Sequence, residues 1–160
     1  GEEKGLLGSK YYTDNPIYPL SKTIANLNID MIGRIGDFKD NPNYVYLIGS
    51  NMLSTELHNI SEEINKSYVG LELDYTFNKE DDPNRYYYRS DHYNFAKNNI
   101  PVIFYFNGIH EDYHKPTDTI EKIDFNKIKK ITELIFLTAW ELANRDKRIS
   151  LNNTKEKNKK

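Results

Sequence analysis

Cysteine is absent from the 160 residues, which excludes disulfides and thiolate metal sites. Any metal must therefore be held by histidine and carboxylate. Histidine is itself scarce, with His58, His92, His110 and His114 making up the whole set. No apolar run approaches the roughly 18–20 residues that a membrane span needs. The net charge of −2 gives no electrostatic basis for binding nucleic acid or an anionic membrane. The charged start Glu2-Glu3-Lys4 does not lead into an apolar stretch, so no signal peptide is expected. Two motifs of hydrolases and nucleotide-binding proteins are also missing: the Gly-x-Ser-x-Gly nucleophile elbow and the phosphate-binding glycine loop.

What is present is a globular composition, 38% hydrophobic and 29% charged, in a chain long enough for one domain with a core. Ala25, Leu27, Ile29 and Met31 alternate with polar residues, the period of a half-buried strand that Gly33 closes. Tyr44 to Ile48 is a second short strand, ended by Gly49. Leu53, Leu57, Ile60 and Ile64 recur at helical spacing behind Ser54, a residue suited to an N-cap. Val69, Leu71, Leu73, Tyr75 and Phe77 alternate as a third strand, and residues 78–84 read as an exposed loop. Ser90 is expected to cap a short helix that stops before Ile100-Pro101. Val102 to Phe106 is continuously apolar, as in a strand buried on both faces. Asp124 is expected to cap a long last helix whose apolar face carries Phe125, Ile128, Ile131, Ile135 and Leu142, with Trp140 on its edge. Strands alternating with helices predict a three-layer αβα sandwich around a mixed, mostly parallel sheet. The polar, lysine-rich residues 151–160 are expected to form a disordered tail.

In such sheets functional residues gather where strands end, which draws attention to Asp30, His92, His110 and His114. Each has an ordinary structural reading. Asp30 could simply start a turn, although a carboxylate within an apolar stretch needs a partner. Ser90-Asp91-His92 could be a helix N-terminus with an acid at the positive dipole end. Glu2-Glu3 could be a pair of solvated acids. His58 lies on an amphipathic helix and reads as surface structure. His110-Glu111-x-x-His114 fits the zincin pattern, which works only when both histidines share a helix face. Here Gly108 precedes it and Pro116 follows, leaving too few residues for that helix. His114 as a ligand carried on a loop is the better reading.

Five segments, in order, resemble the bacterial leucyl aminopeptidase and aminopeptidase Y family of two-zinc exopeptidases. They are Gly1-Glu2-Glu3-x-Gly5-Leu6-Leu7-Gly8-Ser9, Asn28-Ile29-Asp30-Met31-Ile32-Gly33, Ser90-Asp91-His92-x-x-Phe95, Ile100-Pro101, and Tyr113-His114-x-x-x-Asp118-Thr119. The resemblance implies hydrolysis of an N-terminal amino acid from a peptide by a metal-activated water. It implies Glu2 as general base, Glu3 and His114 as ligands of one zinc, and Asp30 as a ligand of the other. Asp91 and His92 are implied as second-layer or pocket residues, and Tyr113 as a residue orienting His114 or lying near substrate.

The family also uses a His-x-Asp element and a metal-bridging Asp, both upstream of the Glu-Glu pair. Residues 1–150 are therefore expected to be the carboxyl-terminal part of a catalytic domain, inactive alone. Glu2 and Glu3 are expected to be disordered, and the sheet to expose an edge open to self-association. A periplasmic or extracellular parent is expected. Two alternatives stand beside this reading: a glutaminyl cyclase-like enzyme with a single zinc, and a non-catalytic binding module on the same fold.

Overall fold

The computed structural model describes residues 1–152. Four strands form one sheet: β1 (Asn26–Ile29), β2 (Tyr44–Ile48), β3 (Glu72–Asp74) and β4 (Val102–Phe106), in the order β1-β4-β2-β3. β1 runs parallel to β4 and β2 parallel to β3, while β2 and β4 are antiparallel. The sheet is thus mixed and mostly parallel. Helices α2 (Thr55–Ile64) and α4 (Phe125–Asn144) cover one face, and α1 (Leu7–Asp14) and the short α3 (His92–Ala96) lie toward the other.

The two-residue period of the strands separates two cores. Val45, Leu47, Ile103 and Tyr105 face α2 and α4, meeting Leu57, Ile131 and Leu134. Tyr44, Tyr46, Ile48, Val102, Phe104 and Phe106 face the other way into a cluster with Phe77, Tyr86 and Tyr87. Full burial of an aliphatic chain such as Ile103 stabilises the fold by about 1.5–3 kcal/mol.

Helix ends follow the expected chemistry in two cases. The Ser54 hydroxyl accepts from the Leu57 N–H at 3.2 Å, and the Asp124 carboxylate accepts from the Lys127 N–H at 3.0 Å. The last helix departs from its expected face at one point, because Phe125 is exposed while Leu134 and Thr138 are buried. Its first turns instead direct Lys127 inward. The ammonium sits 3.7 Å above the Tyr44 ring and donates to the carbonyls of Pro42 and Tyr44 at 2.7 and 2.8 Å.

Two expected elements are corrected. The alternating segment from Val69 to Phe77 is a strand only over Glu72–Asp74. Val69 ends a π-helical turn, Asn65–Val69, and Gly70 turns at φ +71°. The Asn65 side chain then takes both backbone groups of Leu71, at 2.8 and 2.9 Å. Asp74 ends the strand by accepting from the Thr76 N–H at 2.8 Å. Ser90 does not cap α3; Asp91 holds that position without a capping side-chain bond. Of the expected tail, Asn152 is anchored, its N–H donating to the Leu53 carbonyl at 2.8 Å, and residues 153–160 lie outside the described residues. No described helix is long and apolar enough to cross a membrane.

The loop after β1 meets the loop after β4 because both parallel strands end at the same edge. Gly36 makes the closest approach, where an added Cβ would lie 2.4 Å from the Asn107 carbonyl oxygen. Gly36→Ala should therefore lower stability by about 1–3 kcal/mol through overpacking. Urea unfolding tests this, and an unchanged midpoint would mean that the two loops separate freely.

Candidate metal and catalytic site

The parallel pairing of β1 and β4 sets the site. Asp30 follows β1 directly, its N–H donating to the Tyr105 carbonyl at 3.3 Å, and His114 lies in the loop that follows β4. Both therefore stand at one end of the sheet, beside an open cleft of about 1020 Å³ that Glu2, Glu3, Asp30, Tyr113 and His114 help to line.

Glu2 and Glu3 are not disordered. They lie in a 3₁₀ turn, Glu2–Lys4, ahead of α1. That helix is fixed to α3 by side chains: the Ser9 hydroxyl donates to Asp91, and the Asn94 amide donates to Ser9 Oγ and to the Leu6 carbonyl, at 2.8 and 3.2 Å. Leu6 takes φ +59°, turning the chain from the Glu2–Lys4 turn into α1.

Glu3 Oε1 lies 2.9 Å from His114 Nε2 across 111 residues of sequence. Tyr113 stacks on the His114 ring with centroids 3.9 Å apart, and His114 takes φ +57°, uncommon outside glycine. Two ligands of one tetrahedral zinc, each about 2.0–2.2 Å from it, have donor atoms a little over 3 Å apart. The Glu3–His114 pair stands at hydrogen-bond distance, closer than two ligands of one ion would be, so the two side chains would part by a few tenths of an ångström to admit zinc, which their oxygen and nitrogen donors suit. Both side chains are exposed to the cleft, so an ion could reach them.

Asp30 carries a hydrogen bond from the Ser90 hydroxyl at 3.1 Å, and Ser90 in turn accepts from the Asn28 amide at 3.0 Å. Burial raises the Asp30 pKa above the usual carboxylate range against this Ser90 bond, and Glu3 and Asp91 add to the rise. Glu2 is raised as well, first by burial and then by Glu3, Asp30 and Asp91, with His114 opposing. Such a crowd of carboxylates is unfavourable by itself and favours a cation among them.

Asp91 accepts from the Ser9 hydroxyl and acts electrostatically on Glu2 and Asp30. His92 does not line the cleft. It is fully buried, stacked on Phe104 with centroids 4.7 Å apart, and its ring nitrogens make no well-formed hydrogen bond among the described residues. It sits among the aromatic side chains of the core. His58 bonds Ser50 at 2.9 Å and rests against Tyr75, well away from the cleft residues.

Residues 107–119 contain no helix, so His110 and His114 share no helix face and the zincin geometry is not formed. His110 is buried beside Asp112 and Asp118, and these three could hold an ion by proximity alone. The carboxylates there are already paired. Arg34 meets Asp112 at 2.7 Å and Asp118 at 2.5 Å, and Lys122 meets Asp112 at 2.7 Å. These cations hold Asp112 well below the usual carboxylate range, Lys122 first and then Arg34. Arg34 and Arg89 were not among the residues singled out by sequence, and Ser90 was read only as a helix cap within a motif. Their partners lie 60–84 positions away or in the cleft, and no local spacing signals them.

The sequence pattern of peptidase family M28 matches residues 1–139, and the chain belongs to that family. Leupeptin-inactivating enzyme 1 of Streptomyces exfoliatus is 34% identical over 122 residues, covering 76% of this chain and 24% of that protein. A probable leucine aminopeptidase of Arthroderma benhamiae is 30% identical over 151 residues, covering 89% of this chain and 37% of that protein. The fold is shared with BSAP, a zinc aminopeptidase from Bacillus subtilis (TM-score 0.71, 22% identity, 94% of this chain and 36% of that one). It is shared also with the LapA aminopeptidase of Legionella pneumophila (TM-score 0.70, 21% identity, 92% and 38%). The chain thus spans about a quarter to two-fifths of the length of these proteins.

His92 gives a pH test. Burial pushes its pKa from 6.5 down to about 4, opposed only by the Tyr87 backbone. The unfolded chain then binds the extra proton first, so the His92 contribution is complete above pH about 6.5 and lost as pH falls through about 4. The loss is at most about 3 kcal/mol. His92→Phe, which keeps a ring against Phe104, should flatten the fall in urea midpoint between pH 6.5 and 4. An equal fall in both proteins would place the acid sensitivity elsewhere.

Proposed function

We propose that residues 1–150 form part of the catalytic domain of a zinc aminopeptidase, which removes the N-terminal amino acid of a peptide. The single observation that carries this reading is the convergence of Glu3 Oε1 and His114 Nε2 at 2.9 Å beside the uncommitted acid Glu2. The family membership and the aminopeptidases among its relatives support it.

Glu3 and His114 would hold one zinc ion, and Asp30 would hold a second. Bound there, zinc would polarise the scissile carbonyl and make water acidic enough to lose a proton near neutral pH. Glu2 then acts as the general base: its carboxylate takes the proton from the attacking water and delivers it to the nitrogen of the departing peptide as the C–N bond breaks. Burial and its acidic neighbours raise its proton affinity, which suits a group that must accept and return a proton. The carboxylates around the cleft also favour a substrate whose free amino group is cationic. Ser90, held by Asn28, fixes one oxygen of Asp30 and leaves the other free for the ion.

Three substitutions in the full-length protein test the assignment. Glu2→Gln should keep zinc while turnover of a leucine amide falls by about 10²–10⁴-fold. His114→Ala should lose zinc and activity together, whereas His110→Ala should keep its zinc. Metal analysis beside turnover separates these outcomes. Full turnover in Glu2→Gln, or equal zinc loss in both histidine variants, would contradict the assignment.

A further inference from the structure

Residues 110–118 carry His114 on a turn that leaves the sheet. Its internal bonds are local: Tyr113 N–H to the His110 carbonyl, Lys115 N–H to Asp112, and Asp118 N–H to Lys115. Such bonds shape the turn but do not place it. Before it, residues 107–109 are seated on the loop after β1 by the close pass of Gly36 and by the Asp37 N–H donating to the Ile109 carbonyl at 2.9 Å. Within the turn, Asp112 stands two residues before His114 and Asp118 four residues after it. Both carboxylates meet the same guanidinium, with Arg34 Nη2 at 2.7 Å from Asp112 and Nη1 at 2.5 Å from Asp118. Arg34 comes from the loop after β1, four residues beyond Asp30.

We propose that Arg34 is the positioning residue of the metal site, its planar fork tying the two carboxylates that bracket His114 to the strand end that carries Asp30. This inference rests on the reading of His114 as a zinc ligand. The geometry supports it on three counts. The guanidinium is largely buried, as is Asp112, so that pair is shielded from solvent, while Asp118 closes the fork from the more exposed side. A rigid fork can hold two carboxylates at once, which a lysine ammonium on a flexible stem does with less geometric definition. His114 stands at φ +57° with an exposed ring, a conformation that persists only where its surroundings enforce it. The same pairs give the His110, Asp112 and Asp118 group its occupant: a guanidinium and an ammonium already neutralise it, so a dication there would meet two cations. Arg34 touches no reacting atom and acts through His114.

The test compares Arg34→Met, Arg34→Lys, Lys122→Met and His114→Ala in the full-length protein. Zinc affinity is read by calorimetry, and the urea midpoint of each metal-free protein serves as the measure of a purely structural effect. Partners that orient a metal ligand are worth about 10–100-fold in metal affinity. Arg34→Met should fall within that range, Arg34→Lys should recover only part of the loss, and Lys122→Met should bind zinc nearly as the unaltered protein does, with metal-free midpoints of Arg34→Met and Lys122→Met alike. Unchanged affinity in Arg34→Met, full recovery by Arg34→Lys, or equal losses in Arg34→Met and Lys122→Met would overturn the positioning role. If His114→Ala itself kept its zinc, the ligand reading would fail first, and that outcome is distinct from failure of the Arg34 inference alone.

Discussion

The Tyr44 hydroxyl is the point on which the arrangement of the site depends. Buried at the start of β2, it donates to the Asn107 carbonyl at 2.6 Å and accepts from the Gly36 N–H at 2.8 Å. One hydroxyl therefore joins the loop after β1 to the loop after β4. It can do so because β2 is antiparallel to β4, which brings the beginning of β2 to the edge where β1 and β4 end. The ring beneath the hydroxyl is held by Lys127, whose ammonium lies on its face and bonds the Tyr44 carbonyl. Unmade, these bonds would leave buried polar groups without partners, at about 1–3 kcal/mol each. A local polar network in an aromatic core thus fixes the spacing of the two strand ends, and with it the spacing of Asp30 and the His114 turn.

The same logic explains why one histidine of the pair is exposed beside Glu3 and the other is buried. His110 follows Gly108 closely and is drawn into the interior, beside carboxylates that Arg34 and Lys122 already neutralise. His114 lies beyond that point, faces the cleft, and meets Glu3. Proximity of histidine and carboxylates is therefore a poor guide to a metal site by itself. The charge already present decides, since a carboxylate paired to a guanidinium has little left to offer a cation.

The mixed, mostly parallel sheet, the capping of α2 and α4, and the grouping of Glu2, Glu3, Asp30 and His114 were legible in the sequence because each has a local signal or a familiar motif. The hidden parts depend on partners distant in sequence. Val69 to Phe77 alternates like a strand, yet the Asn65 side chain takes the backbone of Leu71 and Gly70 turns the chain first. Ser90 has the chemistry of a cap, but Asp30 and Asn28, some sixty residues earlier, claim its hydroxyl. His92 sits in a motif that suggests the active site, and only the packing of Phe104 and Tyr87 around it shows that it belongs to the core. Arg34 follows the Asn28–Gly33 motif directly, but nothing local ties it to Asp112 and Asp118.

The central claim is that Glu3 and His114 share a zinc ion while the His110 cluster holds none. A crystal of the full-length protein grown with zinc, with diffraction recorded on both sides of the zinc absorption edge, tests it most directly. The account predicts an anomalous peak about 2.0–2.2 Å from both His114 Nε2 and a Glu3 carboxylate oxygen. A peak among His110, Asp112 and Asp118, with none between Glu3 and His114, would contradict it.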